Sequence, residues 1–258
     1  MARSRTSTFS VVQDIGERRR GRGSSRSPVK RYGQYCPVAR AAEILAERWT
    51  LLVIRELLWG QDRFNAIARA VPRMSPTLLA ARLRQLQRAG LVERHLVDGE
   101  ARYRLTPAGE ELRPVLELMG AWGVRWMQEV LPEEYDPALL MLDIGRASDP
   151  ERMPERPVTV QVHFADASAG QEYWWMVLSR SEGADVCDTD PGRPVTIWLD
   201  TDVPVLTRIW MGDLTWSAAL QTGSLRLTGD RPSCRALPTW LHVSGFAAVP
   251  RATSPLPR

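Results

Sequence analysis

The sequence predicts an α+β chain whose first part is a set of short helices closed by one β-hairpin, and whose second part mixes strands with helices. Three observations carry this prediction. Apolar residues recur at helical spacing from Pro37 to Ala89, Asp98-Gly99 is a strong hairpin-turn signal, and residues 158–164 alternate as a half-buried strand does. At 258 residues, the chain is long enough for two domains.

Residues that start or stop helices divide the first part. Ser75 offers an N-cap hydroxyl and Pro76 a proline in the first turn, whereas Gly90 is typical of a helix end. The predicted helices lie near residues 41–45, 49–57, 63–69 and 75–89. Strands at 91–97 and 101–105 then form the hairpin, and a helix runs from Thr106-Pro107 up to Leu131, with a break near residues 120–123.

The pattern changes after residue 131, where strands alternate with helices as in an α+β domain. We expect helices at 135–146 and 232–242, two short helices within 202–220, a charged linker at 150–157, and strands at 158–164, 172–180, 195–200 and 224–228. These shifts predict a disordered basic tail at 1–31, a domain of helices and a hairpin at 32–131, an α+β domain at 132–250, and a flexible tail at 251–258.

Charge and cysteine content narrow the function classes. The net charge is +7 for residues 1–31, +3 for 32–131 and −6 for 132–258, which add up to the overall +4. A polyanion would therefore meet the first half of the chain. The three scattered cysteines cannot form a disulfide framework, and no secretory signal or membrane span is evident, so we expect a cytoplasmic protein. No metal-ligand spacing, phosphate loop or nucleophile motif points to an enzyme or a cofactor.

The helix at 75–89, placed after a short helix and a tight turn, is the expected recognition helix of a winged helix-turn-helix domain. Leu79, Leu83 and Leu86 share one side of it and should face the core. The expected DNA-binding residues are Ser75 at the start of the helix, Thr77, Leu78, Ala81 and Arg82 at the base edges, Arg84 and Arg88 at the backbone, and Arg94 and Arg102 in the hairpin, which Arg104 also flanks. Each arginine is equally compatible with a solvated surface position.

A family resemblance covers about a hundred residues in this part. The chain resembles the HxlR family of MarR-like regulators at Cys36-Pro37, Arg48–Leu57, Gly60, Arg63–Asn65, Met74–Leu79, Arg82–Leu86, Gly90–Arg94 and Tyr103–Gly109. The resemblance implies a homodimer on a palindromic operator in double-stranded DNA, with residues near 32–48 and 107–130 at the dimer contact. The apolar residues that could supply this contact, or an ordinary core, are Leu112, Val115, Leu116, Met119, Trp122 and Trp126.

Cys36 has two interpretations. In some HxlR relatives the matching cysteine senses oxidants or electrophiles as a thiolate, and here Arg40, one helical turn away, is the charge partner that the sequence offers. A single cysteine is more often an inert small residue in a packed environment.

Six of the ten tryptophans lie after residue 131, a density typical of a core or of an apolar cavity. This part resembles the sterol-carrier-protein-like domain at Val195–Asp200, Val203–Leu214 and Gly223–Asp230. The resemblance implies a lipid tunnel bordered by Val203, Leu206, Trp210, Leu214, Trp216 and Leu220, whose helical spacing would equally suit a filled core.

The function predicted from the sequence is a DNA-binding regulator whose affinity responds to a hydrophobic ligand in the second domain. The alternative is a thiol-sensing regulator that acts through Cys36, with the second domain only structural. Neither hypothesis needs a cofactor or a membrane.

Overall fold

A computed structural model describes residues 32–127, 130–254 and 256. The described residues divide into two units, with the boundary between Glu43 and Ile44. Helix α1 (Pro37–Leu45) begins in the first unit, where the Tyr32 amide donates to the Glu43 carboxylate at 2.9 Å. The tail predicted at residues 1–31 lies outside the described residues.

The second unit begins with the predicted helices and hairpin. These are α2 (Thr50–Leu58), α3 (Phe64–Ala70), α4 (Pro76–Arg88), β1 (Val92–Val97) and β2 (Glu100–Leu105). Ser75 caps α4 as expected, because its Oγ accepts the Leu78 amide at 3.3 Å. The strands pair antiparallel around Asp98 and Gly99, whose φ angles of 53° and 80° suit a tight type I′ turn.

One hydrophobic core joins these elements. The predicted inner face of α4, Leu79, Leu83 and Leu86, is buried and packs with Ile54 of α2 and Ile67 of α3. Full burial of such a side chain stabilises the fold by about 1.5–3 kcal/mol. The spacing of the apolar residues along α4 was therefore a correct guide to the face that meets the core.

The helix predicted from Thr106 to Leu131 is wrong in its break and its end. A short helix α5 (Pro107–Glu110) is followed by a turn, and α6 (Arg113–Trp126) then continues unbroken through Gly120 and Gly123. Pro114 explains the position of the break, because in one continuous helix its ring would collide with the carbonyl of Glu110.

Residues beyond the hairpin and α6 form a mixed five-stranded sheet with helices. The helices are α7 (Pro137–Ala147), α8 (Val203–Trp210), α9 (Trp216–Thr222) and α10 (Arg231–Trp240), and the strands are β3 (Val158–Phe164), β4 (Tyr173–Ser179), β5 (Gly183–Cys187), β6 (Ile197–Thr201) and β7 (Leu225–Gly229). The strand order is β5-β4-β3-β6-β7, with only the β3–β6 pair parallel. The sequence did not predict β5, a short edge strand with no clear alternation.

One face of this sheet and the helices enclose a second core. Val160, Val162 and Phe164 of β3 are fully buried there, together with Met176 of β4. The predicted linker at 150–157 is in part a structured segment, because Met153 is also fully buried in this core. Among the described residues, no helix combines the length and apolar composition that crossing a membrane requires.

Candidate nucleic-acid interface

The start of α4 is the most open part of the candidate interface. Ser75, Thr77 and Leu78 are exposed, and Ala81 is half-buried one turn later. Arg84 and Arg88 are exposed further along the helix. An exposed helix start flanked by arginines presents backbone N–H groups and positive charge to a phosphate backbone.

Arg82 does not lie on this exposed surface, which corrects its predicted position. Only 7% of the residue is exposed, and its guanidinium bonds to Gln85 and pairs with Glu47 at 3.5 Å. Position 82 follows Leu79 by three residues and precedes Leu86 by four, so it falls on the buried side of the helix. That spacing already indicated in the sequence that position 82 faces the core. It was overlooked because arginine is normally an exposed residue.

The hairpin divides its arginines between two roles. Arg94 and Arg104 are exposed, whereas the Arg102 side chain is only 16% exposed. Arg102 pairs with Asp62 at 2.8 Å and with Glu100 at 3.6 Å. In this structure Arg102 therefore ties the hairpin to the segment before α3, whereas the sequence analysis expected it to bind DNA.

A separate apolar stripe runs along α6. Val115, Leu118, Met119 and Trp122 line a surface groove of about 330 Å³, at the spacing of one helix face. Leu118 is 72% exposed and was not among the predicted contact residues. Of those that were, Val115, Met119, Trp122 and Trp126 are exposed, whereas Leu112 and Leu116 pack against the helical core.

The residues predicted to border a lipid tunnel differ in how far they are buried, and three of them line a small cavity. Val203 and Leu206 are buried, and the cavity that Leu206, Trp210 and Trp216 help to line measures about 10 Å³, which is room for about one water molecule. Leu214 is half-buried against the core and Leu220 is 40% exposed. In this structure the burial of Val203 and Leu206 fits the filled-core interpretation, and the lipid tunnel stays a prediction.

Cys36 is half-buried in the first unit, and its carbonyl accepts the Arg40 amide at 3.1 Å. This contact joins main-chain atoms, so it gives no support to a pairing between the thiol and the guanidinium. The reactivity of Cys36 stays a prediction.

A buried ion cluster was missed by the sequence analysis. Glu56 of α2 is fully buried, and its two carboxylate oxygens receive Arg55 at 2.6 Å and Arg146 of α7 at 2.7 Å. Burial raises the pKa of neighbouring Asp143 to about 6, against the opposing effect of both arginines. The cluster joins the helical part, which comprises α2 to α6 and the hairpin, to the sheet part, which comprises α7 to α10 and the five-stranded sheet. Local sequence does not show that Glu56 and Arg146 come together.

Comparison with known proteins places the helical part in a family. The model of the HxlR-like helix-turn-helix family matches residues 44–131. The "uncharacterized HTH-type transcriptional regulator sll1512" of Synechocystis sp. is 34% identical over 105 residues, which cover 40% of this chain and 78% of the relative. The chain belongs to the HxlR-like helix-turn-helix family.

Two further similarities accompany the HxlR-like match. The "uncharacterized HTH-type transcriptional regulator Mb3122" of Mycobacterium bovis is 38% identical over 118 residues, which cover 44% of this chain and 72% of the relative. The solved structure of the reduced form of the transcriptional regulator YodB from Bacillus subtilis is 32% identical, covers 37% of this chain and 97% of that chain, and has a TM-score of 0.33. Residues 132–258 lie outside the HxlR-like match, so their sterol-carrier-like resemblance stays a prediction.

Proposed function

We propose that this chain is a DNA-binding transcriptional regulator that inserts α4 into the major groove. The observation that carries the proposal is the exposed first turn of α4, Ser75 to Leu78, held on a buried helical core and followed by a β-hairpin. A helix presented in this way fits the width of the groove. Membership of the HxlR-like family and the names of its relatives support the same function.

The proposal is tested by footprinting the DNA upstream of the gene and titrating three variants on the footprint DNA and on unrelated DNA of equal length. Thr77→Ala should weaken binding to the footprint DNA more than binding to unrelated DNA. Arg84→Ala should weaken both and reduce the salt dependence by about one counterion. The control is Arg180→Ala, an exposed arginine paired with Glu155, which should change neither affinity. A chain that protects no upstream DNA contradicts the proposal.

The finer proposal is a homodimer on a palindromic operator, paired through α6. Its support is the exposed apolar stripe on α6, because contiguous apolar surface of this kind is a common mark of an interface. Trp122→Glu should convert the dimer to a monomer in analytical ultracentrifugation and weaken operator binding. Leu220→Glu, which adds the same charge at an exposed leucine of α9, should leave the dimer intact. A wild-type monomer at micromolar concentration contradicts this pairing.

Ligand control through the sheet part also stays a proposal. A hydrophobic molecule would have to enlarge the cavity of about 10 Å³ beside Trp210 and Trp216, and the bound and free chains would need different operator affinities. Solvent extraction of the purified protein, followed by operator titration with a panel of fatty acids and sterols, tests it. No extracted lipid and no change in affinity contradict ligand control.

Thiol control is the second candidate, supported by the partial exposure of Cys36. Treatment with diamide should then reduce operator binding by the wild type and leave Cys36→Ser unaffected. Cys187→Ser is the matched control, since Cys187 is also half-buried but lies at the sheet edge. Equal responses of the wild type and Cys36→Ser would exclude the mechanism.

A further inference from the structure

The last turn of α6 is closed by residues far along the chain. A helix leaves its final four carbonyls without partners inside the helix. Here the Val124 carbonyl accepts Arg251 Nη1 at 2.7 Å, the Arg125 carbonyl accepts the Ala252 amide at 2.8 Å, and the Trp126 carbonyl accepts the Leu256 amide at 2.9 Å. Residues 246–254 and 256, which we call the strap, therefore provide the C-terminal cap of α6.

Arg251 ties the strap to the sheet part at the same time. Its Nε and Nη2 atoms bind the two carboxylate oxygens of Asp213 at 3.1 and 2.7 Å, while Nη1 still donates to Val124. The two-pronged geometry fixes the guanidinium plane, which a lysine would not reproduce. One side chain thus joins the turn after α8 to the end of α6.

Close packing fixes the start of the strap. Phe246 lies against Gly120 so closely that a Cβ at position 120 would collide with the aromatic ring. Ala247 packs on Gly212, where a Cβ would come within 2.7 Å of the alanine Cβ. Gly120 occupies the turn of α6 that also carries Met119 and Trp122 of the apolar stripe.

We propose that the strap holds α6 in the position required for pairing two chains, so that the sheet part controls dimerisation and operator binding through this contact. The role in pairing rests on the proposed function of α6. The contact between strap and helix can be tested independently of it. Release of the strap would leave the Val124, Arg125 and Trp126 carbonyls without these partners and would free the end of α6 to move.

The first experiment measures hydrogen exchange in the full-length protein, in Arg251→Ala, and in the control Arg180→Ala. Loss of Arg251 removes one cap hydrogen bond and the link to Asp213, so exchange at the amides of Ala252 and Leu256 should become about ten-fold faster or more. The control should exchange as the wild type does. Asp213→Asn, which weakens the link without touching α6, should give a smaller change in the same direction. Unchanged exchange in Arg251→Ala would contradict the claim that Arg251 holds the strap on the end of α6.

The second experiment measures the dimer dissociation constant by ultracentrifugation, and operator affinity by titration, for the same variants. Arg251→Ala should raise the dimer dissociation constant about ten-fold and weaken operator binding, with circular dichroism like that of the wild type. Faster exchange with an unchanged dimer dissociation constant would contradict the control of dimerisation by the strap. The contact between the strap and α6 would still be supported. A monomeric wild type would contradict both the dimer proposal and the control of dimerisation by the strap. The hydrogen-exchange result would still show whether Arg251 holds the strap on α6.

Discussion

Individual side chains in this protein are placed by long-range partners as much as by their own chemistry. Arg82 belongs to a residue type that is normally exposed, yet it is buried because its position in the helix faces the core and because Gln85 and Glu47 satisfy part of its guanidinium. Asp143 lies beside the ion cluster of Glu56, where burial raises the pKa of its carboxyl. Substitution of either Arg82 or Asp143 should therefore change the free energy of unfolding.

Arg82→Ala should lower the free energy of unfolding by about 1–3 kcal/mol, because it removes buried hydrogen bonds and packing on the core side of α4. Arg84→Ala, on the exposed side of the same helix, should change stability by less than about 0.5 kcal/mol. Urea unfolding followed by tryptophan fluorescence measures both. If Arg82→Ala were as stable as the wild type but failed to bind its operator, Arg82 would be a DNA contact after all.

Asp143 should make stability depend on pH. Burial raises the pKa of its carboxyl from 3.8 to about 6, with Arg55 and Arg146 opposing the shift and Glu56 adding to it. The folded chain therefore holds this proton more tightly than the unfolded chain, so this carboxyl lowers the free energy of unfolding as the pH rises from about 4 to about 6. Asp143→Asn should remove that decrease, as measured by thermal unfolding across this range. The exposed control Asp185→Asn should retain it, and a decrease that persists in Asp143→Asn would assign it to other groups.

At the scale of elements, local signals in the sequence located most helices and strands. The prediction failed at β5 and at the break before α6. The N-cap at Ser75, the Asp98-Gly99 turn and the alternation of β3 each act within a few residues, so sequence alone revealed them. β5 escaped because an edge strand of five residues pairs on one side only and needs little alternation. The end of α6 could not be predicted from local signals, because its last carbonyls are capped by the strap. Which face of α6 stays exposed depends on how the helix packs on the core.

Gly120→Val tests the packing between α6 and the strap. A side chain at position 120 would displace the ring of Phe246, so we expect a loss of about 1–3 kcal/mol in unfolding free energy and faster exchange in the strap. Gly123→Val is the control, since a Cβ there meets no neighbouring atom within 4 Å. Comparable losses in the two variants would indicate that helical propensity, and not the contact with Phe246, causes the effect.

At the scale of the whole molecule, the helical part and the sheet part of residues 44–258 are joined by two kinds of contact. The strap closes α6, and Arg146 of α7 completes the charge balance of Glu56, which is buried in α2. Residues 32–131 and 132–258 carry opposite net charges, so a polyanion would be attracted to the former and repelled by the latter. The contacts between the two hydrophobic cores therefore include these polar pairs as well as the packing of Phe246 on Gly120.

Arg146→Ala should destabilise the protein by about 3 kcal/mol, because it leaves a buried carboxylate with only Arg55 as its partner. Chemical unfolding measures this loss, and Arg152→Ala, an exposed arginine, is the control. We expect Arg146→Ala to unfold in two transitions if the ion pair couples the two cores. A single transition with unchanged stability would show that the ion pair adds nothing.

The sequence by itself determined most of the helices and strands, the inner face of α4, the hairpin turn and the family, because these depend on short-range spacing, capping and turn chemistry. The tertiary structure decided which arginines remain exposed, which residues of the tryptophan-rich part are buried, and how the end of α6 is capped. Arg82, Arg102 and Arg146 have the same side chain and differ only in the partners that folding brings to them. The acidic partners Glu47, Asp62 and Glu56 lie 35, 40 and 90 residues away along the chain, so local sequence does not identify them. The strap joins residues more than a hundred positions apart, which is why only the folded chain reveals it.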